Sequence, residues 1–167
     1  MRYALYAGLV VASLVIQTTW LARVKIAGVV PDPLLIVVMA VGLLHGSEDG
    51  AVVGAGAGLL QDIVTGVPLG LGMLADLCVG FAAGLGGGLI YTENLWFPAA
   101  AAAALSALRT LVWAGTAHLV GLLQAPLVEV AQVGLLTACY NGVIAVPIFR
   151  GLVGLDRALL PSPEESL

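Results

Sequence analysis

Long apolar runs that almost lack charge constrain this chain more than any other feature. No residue between Tyr3 and Leu21 is charged, and the run from Pro126 to Phe149 holds Glu129 as its one charged residue. A transmembrane helix needs ~20 apolar residues, with a range of ~17–25. Six segments meet or approach that length, at approximately 3–21, 33–44, 50–64, 69–91, 97–123 and 126–149. Only 10% of the residues are charged, against about a quarter in soluble domains. The expected fold class is therefore an all-α integral membrane protein, a compact bundle of about six transmembrane helices within residues 1–149.

The breaks between segments set the topology. Pro31-Asp32-Pro33 disfavours regular helix, so the second segment starts at Pro33, and His45-Gly46-Ser47-Glu48-Asp49 forms a polar turn. Segments two and three are short and read either as two tilted spans or as a re-entrant hairpin. Both readings leave the two termini on one side. Tyr3, Tyr6, Tyr91, Trp96 and Phe149 then fall near that face, as an aromatic belt does. Arg2, Arg150 and Arg157 lie on the terminal side and Arg23 and Lys25 opposite, a bias that favours cytoplasmic termini. The run after Arg2 is long enough to span and lacks a clear cleavage site, so it reads as an uncleaved first helix. Residues 150–160 carry Leu152, Leu155 and Leu159 on one face, the spacing of an interfacial helix, and 161–167 read as a disordered acidic tail.

Within the helices, glycines recur every fourth residue and lead to acids. Gly46, Gly50, Gly54 and Gly58 are followed by Asp62; the next helix places Gly72, Gly80, Gly84 and Gly88 in one row with Asp76. Positions four apart form one ridge of a helix, and a glycine ridge lets another backbone approach closely. One row is expected to pack inside the bundle and the other to receive a partner's helix.

An acid at membrane depth costs ~2.5–3.5 kcal/mol at the helix centre and needs a partner. Counting helical rise from the loops on one face puts Glu129 ~5 Å, Asp62 ~6 Å, His118 ~8 Å and Asp76 ~9 Å deep. These four form an expected acid–histidine layer. On the same count Arg109 lies ~21 Å deep, beside Asn141 at ~22 Å, and is expected to bond to the Tyr140–Asn141 pair or nearby carbonyls. The layer has two readings. It either binds a proton, cation or ligand, or it is structural, with Asp62 accepting from backbone N–H groups of the turn Thr65–Gly70 and Asp76 sitting in the first turns of its helix.

Function classes narrow accordingly. A net charge of −4 with six dispersed Lys and Arg forms no basic patch, which excludes nucleic acid. Cys78 and Cys139 lie in apolar runs and read as inert buried thiols. No HExxH or Gly-x-Ser-x-Gly motif occurs, and Ser106 and His118 stand ~18 Å apart along one helix, too far for proton transfer. Neither a catalytic residue nor a metal or cofactor is expected.

Three stretches carry a family resemblance: Pro31-Asp32-x-Leu34-Leu35-Ile36, then Gly50-x3-Gly54-x3-Gly58-Leu59-Leu60-x-Asp62, then the turn Gly66-x-Pro68-Leu69-Gly70. Their order and spacing resemble the MreD family of bacterial rod shape-determining membrane proteins. The Ala-rich fifth segment carries no family signature. The resemblance implies a non-enzymatic inner-membrane scaffold of the elongation machinery. Its implied partner is the transmembrane helix of MreC, beside MreB filaments and the peptidoglycan glycosyltransferase–transpeptidase pair. It also implies a fold similar to the substrate-binding subunits of energy-coupling-factor transporters, and hence an alternative function as a vitamin-type substrate-binding subunit.

Overall fold

The computed structural model describes residues 2–19, 29–87 and 96–159. These form six α-helices: α1 (Arg2–Thr19), α2 (Pro33–His45), α3 (Ser47–Thr65), α4 (Leu71–Leu85), α5 (Trp96–Leu119) and α6 (Leu127–Leu159), with no strand among the described residues. Consecutive helices run antiparallel. The start of α1, the α2–α3 turn and the end of α6 therefore share one end of the bundle, called here the near end. The α3–α4 and α5–α6 connections lie at the far end.

The bundle is organised around α2, which is apolar on every side. A helix of that kind belongs in a core, and every residue from Pro33 to Leu43 is buried. All five other helices pack against it. Pro33 at the first helical position has the fixed φ a helix needs and no N–H to lose. Asp32 caps the helix by accepting from the Leu35 N–H at 3.2 Å. At the other end, α2 turns into α3 across the single residue Gly46, whose φ of +97° suits glycine.

The helix lengths cut back the expectation of about six transmembrane helices and agree with the reading of the second segment as short. Among the described residues, two helices, Trp96–Leu119 and Val128–Asp156, are long and apolar enough to cross a membrane; α1, α2 and α4 are apolar but shorter. The 19 residues of α3 include Glu48, Asp49 and Asp62. The 13 residues of α2 cover about 20 Å, less than a ~30 Å hydrocarbon core.

The two glycine rows meet each other, which corrects the expectation that one of them faces outward. A Cβ on Gly50 would overlap the Gly80 carbonyl, one on Gly54 the Asp76 carbonyl, and one on Gly58 the Gly72 carbonyl. From the other side, a Cβ on Gly80 would strike Gly50, one on Gly84 the Ser47 backbone, and one on Gly72 the Asp62 carboxylate. Gly42 of α2 joins this junction against the Gly80 carbonyl and Ala83. Gly46 is the turn residue and has open space around it, so it stands outside the interlock. Gly88 lies outside the described residues. Close contact gives membrane helices their packing energy, and using both rows on one interface maximises it.

Three smaller expectations also change. Residues 150–159 continue α6 past Pro147 instead of forming a separate helix, and Leu152 and Leu155 line a crevice with Leu5, Leu9 and Val37. The tail 161–167 lies outside the described residues. Tyr6 and Phe149 are buried, while Tyr3 and Trp96 are exposed as interfacial aromatics would be; Tyr91 lies outside the described residues. Cys139 is exposed and Cys78 half-buried, so neither is a core thiol.

The interlock makes a sharp contrast between neighbouring glycines. Gly56 has nothing within 4 Å of its Cβ position. Gly56→Ala should leave the thermal midpoint in detergent unchanged or raise it, since Ala is favoured over Gly in helices by roughly 1 kcal/mol. Gly54→Ala and Gly80→Ala should each lower it steeply. Equal midpoints for all three would show that α3 and α4 do not touch backbone to backbone.

Candidate functional site

Close approach of α3 and α4 places polar side chains where each can serve the other helix. The residue before α4, Gly70, has no side chain with which to cap it. Asp62 of α3 supplies the missing acceptor: its carboxylate takes N–H bonds from Gly70 at 2.9 Å, Gly72 at 2.9 and 3.1 Å, and Met73 at 3.3 Å. The positive end of the α4 dipole faces the same carboxylate. Asp62 itself lies near the C-terminus of α3, where a carboxylate is disfavoured, so these bonds compensate its placement. The turn between the helices starts at Gly66, left-handed with φ +71°, and runs through Pro68 to Gly70, where φ is +108°.

One and a half turns into α4, Asp76 meets Arg109 of α5. Arg109 Nε donates to Asp76 Oδ1 at 2.6 Å and Nη2 to Gln61 Oε1 at 2.5 Å, while Nη1 forms an ion pair with Asp32 Oδ2 at 3.6 Å. Asp32 is held from its other side, where its backbone N–H donates to Asn141 Oδ1 at 2.8 Å. Asn141 in turn donates through Nδ2 to Ser106 Oγ at 2.8 Å. The network thus joins α2, α3, α4, α5 and α6. Asp32, Asp62, Asp76, Ser106 and Asn141 are all buried. A guanidinium presents donors in a planar fork, which lets one side chain serve three helices where an ammonium could not. Asp76 Oδ2 has no hydrogen-bond partner among the described residues.

Arg109 therefore bonds to Asp76, Gln61 and Asp32, and not to the Tyr140–Asn141 pair; Asn141 enters through Asp32 and Ser106. The acid–histidine layer does not assemble. Asp62 and Asp76 lie inside the bundle, whereas His118 and Glu129 are exposed on the outer turns of α5 and α6. His118 Nδ1 lies 3.3 Å from the Leu123 carbonyl, and Glu129 has no hydrogen bond or ion pair among the described residues. The depth count failed because it assumed that all far-end loops share a plane. In fact α5 runs ten residues past Arg109 to Leu119, about 15 Å, while α4 begins only five residues before Asp76.

Sequence reasoning missed Asp32, Gln61 and Ser106 as members. Asp32 had a signal, since Asp directly before a helix-starting proline is a cap. Ser106 lies one turn from Arg109, but only the fold shows that Asn141 reaches it. Nothing in the sequence marks Gln61. A second polar cluster at the near end was also missed as a cluster. Tyr6 donates to Asp156 Oδ1 at 2.5 Å and bonds to His45, and His45 Nε2 lies 3.1 Å from the same carboxylate oxygen. This cluster ties α1, α2 and α6 together, and Tyr3 adds α3 by donating to Asp49 Oδ1 at 2.8 Å.

These features define a helical membrane protein built on a glycine interlock and a buried ion-pair network. The chain belongs to the MreD family: residues 1–155 match the family described as rod shape-determining protein MreD. No curated protein and no solved structure matches it. Membership assigns the protein a role in determining rod shape.

Two substitutions separate charge from hydrogen bonding here. Asp62→Asn keeps an acceptor for α4, whereas Asp62→Leu strands buried N–H groups at about 1–3 kcal/mol. Leu should therefore lower the folded yield more than Asn. Arg109→Met leaves Asp76 buried without its partner and should cost about 3–5 kcal/mol, read as loss of monodispersity in detergent. A monodisperse Arg109→Met protein of unchanged melting point would remove the network from the account of stability.

Proposed function

We propose that this protein is a multi-pass scaffold of the bacterial inner membrane that holds the transmembrane helix of MreC. Through that contact it supports peptidoglycan synthesis during cell elongation, beside MreB and the glycosyltransferase–transpeptidase pair. Its role is structural, not catalytic. The observation that carries this reading is the family match across residues 1–155. The build of the bundle is in keeping with it. A network joining five helices, together with a backbone-to-backbone junction, favours one rigid arrangement over a moving one. Rigidity of that kind suits a protein that positions others.

We assign all six helices to a transmembrane bundle, an arrangement like that of the substrate-binding subunits of energy-coupling-factor transporters. The shorter helices then sit beside or inside the longer ones and do not individually match the bilayer. Both termini are assigned to the cytoplasm, because Arg2, Arg150 and Arg157 lie towards the near end and Arg23 and Lys25 between α1 and α2.

Co-expression with tagged MreC, extraction in mild detergent and affinity capture test the partner. The two proteins should co-elute. Elution of MreC alone, with this protein folded in the flow-through, would overturn the scaffold reading. Topology is checked separately with a single cysteine added near Ser166 in a background lacking Cys78 and Cys139. A membrane-impermeant thiol reagent should label it only after permeabilisation. Labelling in intact spheroplasts would reverse the orientation.

A further inference from the structure

The charges around Arg109 do not balance. Asp76 is 1% exposed, and its two oxygens are unequally served. Oδ1 accepts from Arg109 Nε at 2.6 Å, whereas Oδ2 is buried and meets no donor among the described residues. The helices packed against α4 are α2, α3 and α5. Among the described residues, the titratable groups they turn towards Asp76 are Asp32, Asp62 and Arg109. On α4 itself Cys78 is the other titratable residue, and two residues of helix put it on the opposite face. Three carboxylates thus surround one guanidinium. The starts of α2 and α4, capped by Asp32 and Asp62, each offset about half a negative charge, which leaves an excess of about one.

A buried carboxylate without compensation tends to neutralise itself rather than stay ionised. Elimination locates where a proton would go. Both oxygens of Asp62 accept N–H bonds from α4 or the residue before it. Asp32 Oδ1 accepts from the Leu35 N–H, and its Oδ2 faces Arg109 Nη1 at 3.6 Å. A proton on any of these would displace a donor or oppose a cation. On Asp76 Oδ2 it displaces nothing, and an unpaired buried hydroxyl costs far less than an unpaired buried charge. A metal cation is a poor rival, because it needs several convergent oxygens where the guanidinium already stands.

We propose that this cluster is a binding site for one proton, taken up from the medium at Asp76 Oδ2 while the protein stays folded. The step forms an O–H bond at Oδ2 and removes the charge of the carboxylate. Oδ1 keeps its lone pairs, so Arg109 Nε still donates to it, and Arg109 becomes the counter-ion of Asp32. The site is independent of partner binding and stands whether or not MreC is held.

Infrared difference spectroscopy of the full-length protein in detergent tests this, because a protonated carboxylic acid has its own C=O stretching band. Carboxylates in water take up protons near pH ~4, so a band present at about pH 6 reports a sheltered acid. The unaltered protein should show that band and Asp76→Asn should lack it. Asp32→Asn, which keeps the cap on α2, should move the band to lower pH, because the charge it removes helps to hold the proton. Asp76→Asn also copies the shape and neutrality of the protonated side chain, so it should remain monodisperse, with a thermal midpoint that varies less with pH. Absence of the band from the unaltered protein, or its survival in Asp76→Asn, would overturn the proposal. So would an Asp76→Asn protein that fails to fold, since the charge itself would then be what the bundle requires.

Discussion

Backbone contact between α3 and α4 is the constraint on which the rest of the molecule depends. With side chains between them, helix axes lie 8–10 Å apart; glycines at Gly50, Gly54 and Gly58 against Gly72 and Gly80 remove that layer. The close approach brings the Asp62 carboxylate onto the N–H groups that open α4. It also sets Gln61 of α3 and Asp76 of α4 close enough for one guanidinium to bridge both. If α3 and α4 were pushed apart by a methyl group, the cap and the bridge would lengthen together. Packing and electrostatics at this junction are therefore one device.

The charges would be expensive anywhere else in such a chain. Two of the three buried acids are matched to a helix start: Asp32 caps α2 and Asp62 caps α4, each facing the positive end of a dipole. Asp76, in the second turn of its helix, depends on Arg109. A buried ion pair of this kind adds little net stability compared with well-packed apolar residues, but removing one member is severe. Its contribution here is to specify the arrangement, because Arg109 is satisfied only when α2, α3 and α4 are all in place.

Much of this was legible in the sequence as local pattern and little as pairing. The ridges at Gly50–Gly58 and Gly72–Gly84 could be read from spacing, because a four-residue repeat has one meaning on a helix. That the ridges face each other could not, since a smooth surface does not name its partner. Asp62 as an acceptor for the N–H groups of the turn Thr65–Gly70 followed from its distance to that turn, but of its three donor residues only Gly70 belongs to it, while Gly72 and Met73 open α4. The partners of Arg109 did not follow, because depth counted along each helix is blind to helices that stop short. The brevity of α2 was visible, but its place at the centre of five neighbours emerges only from packing.

That central place has a consequence for how the chain is made. The neighbours α4, α5 and α6 leave the ribosome after α2, so α2 enters the lipid before most of its covering exists. It can wait there because no residue from Pro33 to Leu44 is polar, and its short length asks little of the bilayer. The same sequence that makes it a core when folded makes it an acceptable guest of the membrane beforehand. Its capping Asp32 is the exception, and that residue gains Arg109 and Asn141 only when α5 and α6 arrive. Biogenesis thus ends where the network closes, with the last helices to be synthesised relieving the one acid that has been waiting longest.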